Sequence, residues 1–253
     1  MDFRKTFDRI PEEFDKYRPR YCQELFESLI EATGLGSSKS VLEIGPGTGQ
    51  ATEPILKTGC RYLAIELGEN FTAAMKEKFG CYGNFDIVNA DFEKYDFGDR
   101  KFDLVFSAAA IQWIPEEIAF PKVYYLLNPG GTLAMFMTRS DEKTANEDLY
   151  NAIEKVYENH FHVKQRYNCH MNYNNVVNYG FTGFSCRDWK KTRTLSADEY
   201  ISYISTSCEH ITLEEPYKSR FYDGVREAIE KAGGSITIID TIPLYLAVKP
   251  EER

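Results

Sequence analysis

The chain of 253 residues contains no run of the ~18 apolar residues that a helix needs to cross a bilayer. Its opening stretch, MDFRKTFDRIPEEFDKYRPRY, has no apolar core of a secretory signal and is mixed in charge. These two absences predict a cytoplasmic chain that does not act at a membrane. Positive charge is in deficit: 30 Lys and Arg stand against 39 Asp and Glu, a net charge of −9. That balance argues against a broad surface for nucleic acid. The six cysteines, at 22, 60, 81, 169, 186 and 208, form no CxxC pair and follow no zinc-ligand spacing. They read as reduced thiols, several of them core filler. His160, His162, Cys169 and His170 fall close together, but HxH followed by CH matches no ligand spacing, so no metal is expected. Internal repeats, low-complexity runs and obvious linkers are missing too. What is present is ordinary for a soluble globular protein: 43% apolar and 27% charged residues, enough to bury the core of a single domain spanning 1–253.

Strand-like and helix-like patterns alternate through the first half. A helical face runs through Tyr21, Leu25, Leu29 and Ala32, with Gly34 placed to end it. Strands are predicted at 40–45, 61–66, 85–89, 101–107 and 132–138, with helices at 50–57, 71–79 and 115–127 among them. Pro121 is expected to bend or split the last helix. Short connections between alternating elements imply a parallel sheet covered by helices on both faces. The second half is less regular. Helices are predicted over 141–159 and 214–232, and Ser196 with Glu199 forms a capping box ahead of a helix through 206. Strands are predicted at 186–194 and 236–248. The stretch QRYNCHMNYNNVVNYGFTGF, residues 165–184, is too polar for a core element and too aromatic for disorder, and reads as a loop or small cap over the sheet. The chain then parses as a lid and helix (1–37), a core (38–138), a helix with a cap-like segment (139–195), and C-terminal helices with a final strand (196–253).

The most informative stretch is VLEIGPGTGQ, residues 41–50, where a buried-looking strand runs into Gly45, Gly47 and Gly49. Glycines after the first strand of an open α/β sheet let the backbone approach a ligand, and ligands bind there, outside the carboxyl ends of the strands. Glu66 ends the second predicted strand, where an acid can accept both hydroxyls of an adenosine ribose. NAD and S-adenosylmethionine both carry that ribose. Three features separate them. The spacing is GxGxG rather than the GxGxxG that brings a pyrophosphate onto a helix N-terminus. Glu43, two residues before the first glycine, would repel a pyrophosphate but suits a methionine ammonium. The third strand runs into Asn89-Ala90-Asp91-Phe92, where Asp91 can accept from an adenine amino group and Phe92 can pack on the ring. Taken singly, Glu66 is an ordinary strand end and Asp91 an ordinary helix N-cap; their spacing is what singles them out.

With these residues in place the sequence resembles the class I S-adenosylmethionine-dependent methyltransferases. The resemblance rests on VLEIGPGTG at 41–49, AIE at 64–66, NADF at 89–92, FDLVFSAAAIQWI at 102–114 and LLNPGGTLAMF at 126–136, five motifs in register over about 38–138. AAAIQWIPE together with YRPRY looks most like the trans-aconitate methyltransferase-like branch of small-molecule enzymes. The resemblance implies a three-layer, Rossmann-like α/β fold: a seven-stranded, mostly parallel sheet with one antiparallel strand, helices on both faces, and a small cap or insertion after strand five. It implies S-adenosylmethionine as cofactor, S-adenosylhomocysteine as product, and a site made of Glu43, Gly45, Gly47 and Gly49 (methionine part), Glu66 with Leu67 beside it (ribose), Asp91 and Phe92 (adenine), and Ser107 and Ala108 beneath the cofactor. Tyr17 and Arg18 match an N-terminal segment that closes over the methionine end. Gln112 and Trp113 are placed near the acceptor.

The sulfonium methyl is already activated, so transfer mainly requires donor and acceptor to be held in line. Aromatic faces such as Tyr17 and Trp113 suit a sulfonium cation. A carboxylate acceptor needs no general base; a hydroxyl or protonated amine needs one, and no residue announces itself as catalytic. The Asn/Asp-Pro-Pro-aromatic tetrad of adenine-N6 and glutamine methyltransferases is absent after the fourth strand, as is the Pro-Cys nucleophile of cytosine-C5 enzymes. The expected partner is therefore a small molecule, with no nucleic acid and no membrane, in a monomer or homodimer. The acceptor would enter between SAAAIQWIP, the 165–184 segment and the N-terminal lid, and Arg139 and Arg187 could pair with an acidic one. Two other readings stay open: a module that binds S-adenosylmethionine without catalysis, and a NAD-dependent oxidoreductase.

Overall fold

The computed structural model describes residues 2–167 and 171–251. Its helices are α1 (Pro11–Tyr17), α2 (Gln23–Thr33), α3 (Thr52–Leu56), α4 (Glu69–Phe79), α5 (Glu116–Leu126), α6 (Glu147–His160), α7 (Ala197–Ser205), α8 (Cys208–Ile211) and α9 (Tyr217–Lys231). Its strands are β1 (Ser40–Ile44), β2 (Arg61–Glu66), β3 (Phe85–Asn89), β4 (Phe102–Ala108), β5 (Leu127–Phe136), β6 (Arg139–Asp141), β7 (Thr182–Ser196) and β8 (Ser235–Val248). No described helix is long and apolar enough to cross a membrane. The chain divides into two compact units, each assembled from three stretches. One, the sheet unit, comprises 20–137, 169–189 and 242–253; the other, the helical unit, comprises 1–19, 138–168 and 190–241.

In the sheet unit β3, β2, β1, β4 and β5 lie side by side in that order, all parallel, and the 244–248 part of β8 runs antiparallel to β5. Near-continuous apolar runs such as VLEI and YLAI suit strands buried on both faces. Their period of two sorts alternate residues to opposite faces. Leu42, Ile44, Leu63, Ile65, Val105 and Leu133 face α5. Val41, Tyr62, Ala64, Leu104, Phe106 and Ala134 face α2, α3 and α4. The mostly parallel, helix-covered sheet expected from the sequence is present. Among the described residues eight strands are joined by pairing rather than seven, because the three-residue β6 of the helical unit pairs with the 239–241 part of β8 and β7 pairs with β8 outside the main strand order.

Two stretches of this unit carried local expectations. Of the two outcomes expected at Pro121, a bend or a split, the split does not occur: α5 is continuous. A proline there forfeits one ladder hydrogen bond, but Ala119, Phe120, Val123 and Leu126 are all fully buried, and that burial outweighs the loss. The Asn/Tyr-rich segment, where described, packs Tyr173, Val176 and Phe181 into the core while Asn172, Asn174 and Asn178 stay exposed. Tyr173–Tyr179 forms a short 3-10 helix against α5, and Tyr173, Val176 and Phe181 are buried with it. Tyr173 stacks on Tyr245 with centroids 4.8 Å apart, and Asn175 Nδ2 donates to both Glu116 oxygens at 2.9 Å. Cys169 and His170 lie outside the described residues.

In the helical unit, Leu149 and Ile153 of α6, Tyr200 and Ile204 of α7 and Phe221, Val225 and Ile229 of α9 enclose Ile236 and Ile238 of β8. The capping box at the start of α7 is formed, Ser196 and Glu199 each serving the other's backbone. The helix expected from residue 141 begins at Glu147 instead. Arg139–Asp141 pairs antiparallel with β8, and Asp141 then folds a turn by accepting from Lys143 N and Thr144 N, both at 2.9 Å. Asp240, on β8 and 1% exposed, is neutralised by a two-toothed ion pair with Arg193 and accepts from Ser140 Oγ at 2.7 Å.

Candidate functional site

The turn that follows β1 is held open by left-handed backbone. Gly45, Gly47 and Gly49 have φ of 65°, 59° and 86°. At Gly45 a Cβ would stand 2.5 Å from the Ala110 Cβ, and at Gly49 it would stand 2.4 Å from the Phe79 ring. Neither position admits a side chain without displacing a neighbour. Gly45 N donates to Ile65 O at 2.9 Å, which pins the turn to β2.

Glu66, the last residue of β2, works on two turns at once. Its Oε2 accepts from Gly47 N at 3.0 Å and its Oε1 from Gly68 N at 2.7 Å. An ionised carboxylate accepts about four hydrogen bonds, and these two backbone donors hold the Glu66 carboxylate in place between the two turns. Leu67 is half-buried, and Asn89 at the end of β3 donates to Glu66 O and Leu67 O at 3.0 and 3.3 Å. Asp91 lies two residues beyond β3 and caps its own turn: Oδ1 accepts from Glu93 N at 3.1 Å, and its carbonyl accepts from Lys94 N and Tyr95 N at 3.0 and 2.9 Å. The sheet unit thus brings the glycine turn, Glu66 and Asp91 to the carboxyl ends of three adjacent strands, β1, β2 and β3.

Other expected site residues are placed differently. Glu43 is fully buried on the α3 face of β1, where its Oε2 accepts from Thr52 Oγ1 at 2.7 Å and Tyr62 OH at 2.6 Å. Its Oε1 has no hydrogen-bond partner among the described residues, and burial raises the carboxyl to about 7. Glu43 therefore fastens α3 to the sheet; the structure gives it buried hydroxyls as partners rather than a place beside a ligand ammonium. Phe92 is 4% exposed, and its ring packs at 5.8 Å from Phe97 with the Lys122 ammonium 5.2 Å from its centroid. Ser107 is fully buried; its Oγ donates to Ile44 O at 3.0 Å and accepts from Ile111 N at 2.9 Å, joining the end of β1 to the loop after β4. Ala108 ends β4 and is half-buried. Gln112 Nε2 donates to Ala109 O at 3.0 Å, and Gln112 and Trp113 are half-buried in the 3-10 turn Ile111–Trp113.

Tyr17 and Arg18 belong to the helical unit. Arg18 Nη2 donates to Thr206 O at 2.7 Å, and its guanidinium lies 5.2 Å from the Phe14 ring centroid. Arg139 sits on β6 in the same unit, whereas Arg187 of the sheet unit stacks on Trp189 at 5.1 Å and donates to Ser28 Oγ at 3.4 Å. The described histidines, His160, His162 and His210, are all in the helical unit. His210 lies 3.1 Å from Tyr157 OH, and burial with the nearby Arg18 charge drives its pKa down to about 3.

Two residues at the site carried no signal in the sequence. Ala109 adopts φ of 59°, a strained conformation for a residue with a Cβ, and donates to Phe136 O at 2.8 Å. An alanine gives no hint of such a backbone. Lys122 on α5 donates to Glu93 O at 3.2 Å and Tyr95 O at 2.7 Å, reaching the turn that carries Asp91. A lysine in mid-helix reads as a solvated charge.

A protein-family model described as a methyltransferase domain matches residues 42–135, the span of the glycine turn and strands β1 to β5. Over 131 residues the chain is 34% identical to a malonyl-[acyl-carrier protein] O-methyltransferase of Marinomonas sp. (strain MWYL1), covering 50% of this chain and 48% of that protein. Over 110 residues it is 30% identical to ribosomal RNA small subunit methyltransferase A of Hahella chejuensis, covering 42% of this chain and 38% of that one. The chain thus spans half or less of the length of these curated relatives. A solved structure of a Haemonchus contortus phosphoethanolamine N-methyltransferase 2 superposes with a TM-score of 0.58 at 18% identity, over 99% of this chain and 61% of that one, a likeness of fold. The glycine turn, Glu66 and Asp91 thus lie on consecutive strands of the span, residues 42–135, that matches a methyltransferase domain.

Proposed function

We propose that the protein transfers a methyl group from S-adenosylmethionine to the oxygen of a small-molecule acceptor, most simply a carboxylate. One observation supports the cofactor assignment: Gly47, Glu66 and Asp91 stand at the carboxyl ends of the adjacent strands β1, β2 and β3, with Glu66 already fixed by the N–H groups of Gly47 and Gly68. The donor set fits the group. Two carboxylates are acceptors of the type that a ribose diol and an exocyclic amine require, and the glycine turn keeps side chains out of the way. Glu66 would hold the ribose and Asp91 the adenine amino group. Bound there, S-adenosylmethionine supplies an activated methyl on a sulfonium. The half-buried Gln112 and Trp113, in the turn that Ser107 pins to β1, would orient the acceptor.

The choice of an oxygen acceptor rests on chemistry at hand. An alcohol or a protonated amine needs a general base to give up its proton. A carboxylate attacks without one. The relative named for O-methylation of a malonyl group supports the same reading. The RNA-directed relative offers another acceptor, but a net charge of −9 is opposed to binding a polyphosphate. The test is transfer of labelled methyl from S-adenosylmethionine by the full chain, into a metabolite extract and separately into RNA. Label in a low-mass product, released by mild base as from an ester, is the expected result. Label in RNA overturns the small-molecule acceptor. Tight S-adenosylhomocysteine binding without any transfer favours a binding module instead.

A further inference from the structure

The turn that carries Asp91 is closed at both ends by side chains. At its start Asp91 Oδ1 receives Glu93 N, and the Asp91 carbonyl receives Lys94 N and Tyr95 N. At its end the carbonyls of Glu93 and Tyr95 point to one ammonium, Lys122 Nζ, at 3.2 and 2.7 Å. The same ammonium lies 5.2 Å from the Phe92 ring centroid and 5.5 Å from that of Phe97. Lys122 is therefore not a surface charge. It is part-buried on α5, between the fully buried Phe120 and Val123, and α5 starts three residues after Trp113. Its contacts fix both the backbone of residues 93–95 and the ring that precedes them. A cation on the last carbonyls of a turn and an acid at its first N–H are the two placements that stabilise such a turn.

We propose that Lys122 is a positioning residue that sets the selectivity of the cofactor site for adenine, by locking the 91–95 turn so that Asp91 presents an acceptor to the exocyclic amino group. The inference rests on the cofactor reading above and deepens it. A site built around a hydrogen bond rejects an analogue that lacks the donor only if its own acceptor cannot turn away. With Lys122 in place, Asp91 is fixed. Without it, the Glu93 and Tyr95 carbonyls lose their shared partner, the turn relaxes, and Asp91 reorients.

The test compares two ligands by calorimetry on the full chain: S-adenosylhomocysteine and its deaminated analogue with a 6-oxo group in place of the 6-amino group. The wild type should prefer the amino form by about tenfold or more. Lys122→Met should weaken S-adenosylhomocysteine binding by about tenfold while changing the 6-oxo analogue less than about twofold, so that the preference collapses. Lys122→Arg, which can donate to both carbonyls, should restore most of it. Lys122→Gln keeps one donor without the charge and should fall between; it serves if the Met variant does not fold. A purely structural role would weaken both ligands alike, and that result, or an unchanged preference in the Met or Gln variant, overturns the proposal. If the wild type binds neither ligand, the cofactor reading fails and the proposal with it. If the wild type binds both but shows no preference, the selectivity assigned to Asp91 and Lys122 fails while the cofactor reading stands.

Discussion

Gly49 and Glu43 lie within one stretch of ten residues and respond to substitution in opposite ways. Gly49→Ala places a Cβ 2.4 Å from the Phe79 ring and 2.9 Å from the Met75 sulfur, at φ of 86°. It should lower unfolding stability by about 2 kcal/mol or more, read from urea midpoints. On the proposed cofactor reading it should also weaken S-adenosylhomocysteine binding, because the same turn would line that site. Glu43→Gln is expected to be benign or better at high pH. The folded carboxyl titrates near 7, above the ordinary 4.5, because burial disfavours its charge. The folded chain then keeps a proton that the unfolded chain releases, so the stability linked to this group is full below about pH 4.5 and is lost as pH rises through about 7. The span is on the order of 3 kcal/mol. The amide of the Glu43→Gln variant would still accept from Thr52 and Tyr62 but cannot ionise, so urea midpoints at about pH 5 and about pH 8 should differ less in the variant than in the wild type. An equal drop in both proteins would locate the titrating group elsewhere. At this scale the sequence singled out the glycines, Glu66 and Asp91 by their spacing, and the fold sets them at the carboxyl ends of β1, β2 and β3. The sequence could not disclose which way Glu43 and Phe92 turn, because that depends on which strands and helices become their neighbours.

Among the elements, α6 and α9 show how a helix contact can invert a propensity rule. Gly224 sits inside α9, where alanine ordinarily gains about 1 kcal/mol. Here a Cβ would stand 2.8 Å from Cγ1 of Val156 on α6, and a β-branched side chain cannot swing aside. Gly224→Ala should therefore destabilise by about 1–2 kcal/mol, and adding Val156→Ala should return part of the loss. Additive effects in the double variant would show that the two helices do not meet at that point. The first five strands and the helices between them were legible because apolar runs and glycine stops repeat at lengths typical of such elements. The Ser196–Glu199 capping box was legible from its spacing alone. The 171–181 segment was not. Its composition reads as a loop or small cap, yet Asn175 and Tyr179 spend their polar groups on Glu116, and Tyr173 turns its ring to Tyr245. Polarity satisfied at long range leaves no periodic trace. The three residues of β6 are too few to show a period at all.

For the molecule as a whole, the cofactor reading predicts ligand-linked stability. S-adenosylhomocysteine at about 100 times its Kd should raise unfolding stability by about 2.7 kcal/mol, seen as a higher Tm, while NADH at the same concentration should leave Tm unchanged. A shift with NADH alone would restore the oxidoreductase reading that the GxGxG spacing disfavoured. The sheet order has a further consequence, for synthesis. Met135 and Phe136 of β5 pair with Tyr245 and Leu244 of β8. A ribosome adding about 5–20 residues per second needs roughly 5–20 s to travel from one to the other. Throughout that interval the nascent chain carries β5 with one row of backbone N–H and C=O groups unpaired, beside side chains as apolar as Leu133 and Met135. Translation halted before residue 244 leaves that edge open for good, as a template for whatever strand arrives first.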